Sequence, residues 1–224
     1  MASLVRKLLN FVLVLIKWPV ALLMLYLLPD SLLEMLELLD RSELESPQVA
    51  PFVFGFVGYS IAWVILFRRY FMGSWLSTLE HELTHGLFAV LTLHDIVEIK
   101  TSYVSGGHIT YTGGGNWLIS IAPYFFPTIS FAIMGILALL DSGSHPWLNL
   151  LLGLSVSYHI TSTWKETHWG QSDIKEVGYL YSFLFLPSAN LISYTAILAF
   201  VLGGGAQLEQ SLSFVAEGLP WLTH

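Results

Sequence analysis

Residues 50 to 67 carry no charged side chain and close on Arg68 and Arg69, an apolar run long enough to cross a bilayer with cations marking one end. Few structures are open to such a run. In hydrocarbon every backbone N–H and C=O must be satisfied within the chain, so the segment is expected to be a helix, and irregular backbone at that depth needs a protein cavity around it. The rest of the chain is similar: of 224 residues, 54% are hydrophobic and only 11% charged, with a mean hydropathy of +0.66. The expected fold class is an all-α polytopic membrane protein, a bundle of about five to six transmembrane helices.

The other segments follow from the same reading. Arg6 and Lys7 precede an apolar run from 8 to 28 that Lys17 and Pro19 interrupt. No small-residue cleavage site follows it, so it reads as a retained anchor or a tilted interfacial helix. Residues 31 to 45 set leucines at helical spacing against Glu and Asp, the pattern of an amphipathic surface helix or a solvated connector. Apolar segments at 117 to 140 and 147 to 163 flank an Asp141 to Pro146 turn and make a helical hairpin, and a last span from 177 to 202 closes on Gly203 to Gly205. This divides the chain into an N-terminal anchor (1 to 47), a transmembrane core (48 to 204) and a C-terminal tail (205 to 224) lying on the membrane. Cations are balanced between the two faces these spans define, so the positive-inside rule leaves orientation open.

Charge and cysteine content exclude several functions. The formal net charge of -7 and the lack of a basic stripe argue against a nucleic-acid partner. With no cysteine, thiolate metal sites, disulfides and cysteine nucleophiles are all ruled out.

Between 73 and 93 the chain becomes helical again and places a His-Glu-x-x-His motif, His81, Glu82 and His85, among apolar residues. Side chains four apart stack on one helix face, so both imidazoles can point at one metal ion with Glu82 beside them to handle a proton from water. Chance supplies this pentapeptide in about one chain in a hundred or fewer of this length. A membrane helix also loses about 2.5 kcal/mol or more for each charged side chain near its centre, and Glu80 and Glu82 need something to compensate them. A zinc ion, one per chain, is the simplest candidate.

From 94 to 116 the sequence changes to strand formers, Ile96, Val97, Ile99, Tyr103 and Val104, then Ile109, Thr110 and Tyr111, on either side of Ser105-Gly106-Gly107. This reads as a β-hairpin lying at the interface or lining a cavity beside the motif helix. Gly106, Gly107 and His108 are its candidate substrate-binding residues, although His108 reads equally well as an ordinary hairpin-surface histidine.

Catalytic zinc usually takes three protein ligands, so a third is needed. The candidates are Asp173, His168, His159, Glu166, His108, His94 and Glu98. The polar loop from Lys165 to Lys175 is favoured because a ligand there can enter the bundle from the side opposite the motif helix. A lone histidine on an apolar helix is more often hydrogen-bonded to a neighbour than bound to metal, which is the reading for His159 and His94. Glu80 is expected to orient one of the motif imidazoles.

The order His-Glu-x-x-His-Gly, a Gly-Gly-containing β segment (Gly106, Gly107, His108), an apolar span with an early Ala122-Pro123, then Gln171-Ser172-Asp173 before a final span resembles the M50 family of site-2-type intramembrane zinc proteases, in particular its M50B-like branch. The resemblance covers about residues 73 to 180. It implies zinc held by His81, His85 and Asp173, with Glu82 as catalytic base. It implies a membrane-protein substrate cut in or near a transmembrane segment, in a multi-pass protein for which a bacterial inner membrane is favoured. The chain departs from the family pattern in having Ile174 rather than glycine after Asp173, and in lacking an Asn-x-x-Pro before it. It also lacks a PDZ-like insertion, so substrate selection by such a module is not expected. Two other readings compete: an inactive protease-like scaffold or chaperone for a partner membrane protein, and an ion transporter using intramembrane His and Glu.

Overall fold

A computed structural model describes residues 2–67, 74–102, 106–140 and 145–217. Arg68, Arg69 and most of the Asp141 to Pro146 turn lie outside the described residues, as do Tyr103 to Ser105.

The first helix, α1 (Ala2–Asp40), has 39 residues and runs through Pro19 and Pro29 without a break. At 1.5 Å per residue it is about 58 Å long, well beyond the ~30 Å of a hydrocarbon core. The amphipathic helix expected over 31 to 45 is not separate: as far as Asp40 it is the last quarter of this one element. Its covered positions, Arg6, Asn10, Leu13, Lys17, Ala21, Met24, Leu27, Ser31, Glu34 and Leu38, recur at steps of three and four. These form a single stripe along one face, while Leu4, Leu8, Val14 and Leu15 on the other faces are exposed, as lipid-facing positions should be.

The later part of that stripe lies along α8 (Tyr179–Glu217), and the two helices run parallel: Trp18 meets Tyr181 near one end and Leu38 packs with Ile197 and Val201 near the other. Gly203 to Gly205 does not end the last helix but breaks it. Gly203 (φ -151°, ψ 20°) and Gly204 (φ 65°, ψ -150°) leave helical geometry, and the second conformation is open essentially to glycine alone. Beyond the break the chain doubles back. Val215 and Ile192 share an apolar cluster with Leu27, whereas an unbroken helix would hold them about 34 Å apart. The C-terminal segment, as far as it is described, thus packs on α1.

The second helix, α2 (Val49–Ala62), continues into a π-helical turn (Trp63–Phe67) and lies against α6 (Pro146–Glu166). Contact there is backbone to backbone. A Cβ on Gly55 would come within 2.0 Å of the Leu150 carbonyl oxygen, and one on Gly153 within 1.8 Å of the Phe52 oxygen. Phe52, Leu152 and Val156 from this pair join Leu38, Ile197 and Val201 in the main apolar core.

Helix α3 (Ser74–Leu91) carries the His-Glu-x-x-His motif and is followed by the expected hairpin, β1 (Ile96–Ser102) antiparallel to β2 (Gly106–Tyr111), with a bulge between Ile96 and Glu98. Gly106 and Gly107 do not form the turn. They begin β2, where Gly107 pairs with Thr101 and His108 with Lys100.

The apolar segment 117 to 140 is not one straight span. It divides into α4 (Trp117–Ile121), a 3₁₀ turn (Ala122–Tyr124) and α5 (Thr128–Leu139), with an 80° bend between the two parts. Pro127 explains the break, since its ring disfavours helical geometry in the residue before it. A short helix, α7 (Ser172–Val177), then leads through Gly178 into α8.

Among the described residues, three helices are long and apolar enough to cross a membrane, or four if the bent pair counts as one span, against the five to six expected. This fits an all-α membrane protein with one small hairpin. Helices α3 and α6 are less apolar than the spans around them: α3 carries the motif, and α6 bears Ser155, Ser157 and His159 in a stretch buried on all sides, where they need not meet lipid.

Candidate metal centre

The helical repeat of α3 places His81 and His85 one turn apart, with ring centroids separated by 4.7 Å. Both direct Nε2 at the same atom. Asp173 Oδ2 lies 3.2 Å from His81 Nε2 and 3.5 Å from His85 Nε2, and the three candidate ligand atoms all fall within 4.8 Å of one another. Two ligand atoms bound about 2.1 Å from one tetrahedral zinc ion stand roughly 3.3 Å apart, so these separations fit a shared metal.

The partners of the other ring nitrogens support the same fit. His85 Nδ1 donates to the Ile119 carbonyl oxygen at 2.8 Å, and His81 Nδ1 donates to Glu166 Oε2 at 3.1 Å. Each imidazole thus carries its N–H away from the site and leaves Nε2 for a cation. His81 has a carboxylate at both nitrogens. A cation held by His81, His85 and Asp173 would take the place of a proton shared among them.

Asp173 reaches this point because α7 carries it in its first turn, where the helix dipole favours an anion. Burial works against its ionisation, but the His81 and His85 imidazoles, when protonated in place of holding a metal, hold its carboxyl below the usual carboxylate range. Tyr124 adds a third contact, donating its hydroxyl hydrogen to Asp173 Oδ2 at 3.0 Å. This tyrosine is 1% exposed, sits edge-on to His81 with centroids 5.3 Å apart, and is tied to α8 by Asn190 Nδ2 donating to its carbonyl at 2.9 Å.

The group opens on a cleft of about 510 Å³ whose walls include Glu82, Gly107, His108, Tyr111 and Glu176. Glu82 shares this cleft with the three candidate ligands. Strand β2 passes so close above it that a Cβ on Gly107 would meet Glu82 Cγ at 2.5 Å and Thr78 Cγ2 at 2.6 Å. Only a residue without a side chain fits there. Gly106 and His108 flank Gly107 in the strand, and His108 lines the cleft.

Among the seven candidates for the third position, Asp173 alone has an oxygen beside both Nε2 atoms; His108 and Glu166 line the same cleft, and the remaining four make other contacts. Glu166 stands behind His81. His168 accepts from the Gly170 N–H at 3.0 Å within its own loop, and Glu98 pairs with Lys100 at 2.8 Å. His159 contacts the Tyr194 hydroxyl at 2.8 Å, and His94 contacts Thr92 Oγ1 and the Gly114 carbonyl, both at 3.0 Å, so each has the neighbour-bonded role expected of a lone histidine. Glu80 does not orient an imidazole. Its Oε1 accepts from the Ile129 N–H at 3.2 Å, satisfying a free donor in the first turn of α5. Tyr124 and the Ile119 carbonyl have no local signal in sequence, since each meets the site across more than thirty residues of chain.

Fold and site together define a multi-pass helical membrane protein with a metal-type His-His-Asp group on a His-Glu-x-x-His helix. The chain belongs to the M50B-like peptidase family, whose model, described as Peptidase M50B-like, matches residues 56–202. No curated protein and no solved structure matches it.

Proposed function

We propose that this protein is an intramembrane zinc-dependent endopeptidase that hydrolyses peptide bonds in or near transmembrane segments of membrane-protein substrates. The observation that carries this reading is the convergence of His81 Nε2, His85 Nε2 and Asp173 Oδ2 within 4.8 Å, in a cleft that Glu82 also lines. A zinc ion held by these three residues would supply Lewis acidity at that point.

The chain's own residues supply the rest. Glu82 takes a proton from the attacking water at its carboxylate and returns it to the leaving amine nitrogen. Glu166 and the Ile119 carbonyl keep the two imidazoles turned toward the reacting position. A substrate helix must unwind before its carbonyls can be reached, and a two-stranded hairpin beside the cleft lets the unwound segment recover backbone hydrogen bonds by adding as a strand. Gly107 brings that strand down onto Glu82, so a bound segment and the base come together.

The test is Glu82→Gln on purified full-length protein. Zinc content should be unchanged while cleavage of a co-reconstituted membrane substrate falls by at least about a hundredfold. Undiminished cleavage would remove Glu82 from the mechanism. A wild-type protein that binds zinc and cuts none of a broad panel of transmembrane substrates would instead favour an inactive scaffold.

A further inference from the structure

Lys17 interrupts the apolar run from 8 to 28, and a cation within such a helix is costly unless something receives it. Its partner is specific. Lys17 Nζ donates to the Val177 carbonyl oxygen at 2.8 Å and lies 5.1 Å from the centroid of the Tyr181 ring. Val177 is the last residue of α7, so the ammonium satisfies a free terminal carbonyl and meets the negative end of the helix that holds Asp173 in its first turn.

Three other residues on the same stripe of α1, Arg6, Asn10 and Leu13, reach the segments that flank the hairpin. Arg6 donates to Thr112 Oγ1 at 2.7 Å and stands 3.8 Å from Asp95 Oδ2 at the base of the hairpin. Asn10 donates to the Gly114 carbonyl at 3.1 Å and accepts from Asn116 Nδ2 at 3.0 Å, while Trp117 Nε1 donates to the Leu13 carbonyl at 2.7 Å. Positions 6, 10, 13 and 17 follow helical spacing, so one face of α1 grips the hairpin base, the start of α4 and the end of α7. This helix lies wholly outside the 56–202 family match.

We infer that α1 is a built-in brace for the cleft and that Lys17 is a positioning residue, setting Asp173 against His81 and His85 through α7. This rests on the reading of those three residues as a metal group.

Two readouts on the full-length protein test it. The chain has no cysteine, so a nitroxide on Lys175→Cys, an exposed position of α7, reports that helix alone. Lys17→Met keeps α1 long and apolar, and should sharpen the label's spectrum while weakening zinc affinity, measured by chelator competition, about tenfold. Lys17→Arg, which can still reach the carbonyl, should restore most of both and shows that any loss is not a failure to fold. An unchanged spectrum in Lys17→Met overturns the brace, and a mobile label with wild-type zinc affinity overturns the link to Asp173. If the wild-type protein binds no zinc, the metal reading fails, and the label still decides whether Lys17 holds α7.

Discussion

Glu166 Oε2 accepts from His81 Nδ1 across 3.1 Å, so the last turn of α6 sets the tautomer of a candidate metal ligand on α3, eighty-five positions earlier in the chain. Replacing this carboxylate should weaken the metal rather than remove it. Glu166→Ala is expected to lower zinc affinity by about ten- to a hundredfold, with Glu166→Gln, which keeps an acceptor, at the low end. Competition with a chelator of known affinity checks it. Complete loss of zinc in Glu166→Gln would instead make Glu166 a ligand.

Asp173→Ala removes a donor atom itself and should abolish tight binding. A ligand present at a hundred times its dissociation constant stabilises a fold by about 2.7 kcal/mol, so zinc should raise the unfolding midpoint of the wild-type protein. In Asp173→Ala that rise should vanish, and in His168→Ala it should remain. The reverse pattern in a thermal-shift assay would move the third ligand to His168.

Tyr124→Phe deletes one hydrogen bond to a charged acceptor and almost no volume. Zinc affinity should fall by roughly tenfold, consistent with the ~1.5–3 kcal/mol such a bond contributes. Tyr181→Phe is the matched control, because the buried Tyr181 hydroxyl has no hydrogen-bond partner among the described residues. Equal effects from the two would mean that the Tyr124 hydroxyl does nothing specific for Asp173.

Gly107→Ala places a methyl group 2.5 Å from Glu82 Cγ, so the strand or the base must shift. Cleavage should drop sharply with zinc content intact, and stability should fall by about 1–3 kcal/mol. Gly114→Ala, where nothing lies within 4 Å of the added carbon, should be close to neutral in both.

The features legible in the sequence were those with a short period. His81 and His85 needed only the helical repeat, and the class of fold needed only uncharged runs such as 50 to 67. The hairpin showed itself through strand formers around glycines, although Gly106 and Gly107 proved to be part of a strand because α3 leaves no room above Glu82 for a side chain.

Everything that depended on which distant segments meet was decided by the tertiary structure. Asp173, His168 and Glu166 are equally polar members of one loop region, and nothing local separates a ligand from its supporter. The turn into α7 places Asp173 beside the Nε2 atoms of both imidazoles, whereas Glu166, at the end of α6, meets only His81, at its Nδ1. Glu80 looked like a partner for an imidazole and instead holds the start of α5, because the bend at Pro127 brings an unpaired N–H to it. By itself the sequence determined a membrane bundle with two histidines and a glutamate on one helix face, since local periodicity and hydropathy suffice for that. Only the packing of α1, α6 and α7 around that helix decided which polar residue joins the two histidines, the hydrogen bonds around that group and the contact of Lys17 with Val177, because those contacts join residues far apart in the chain.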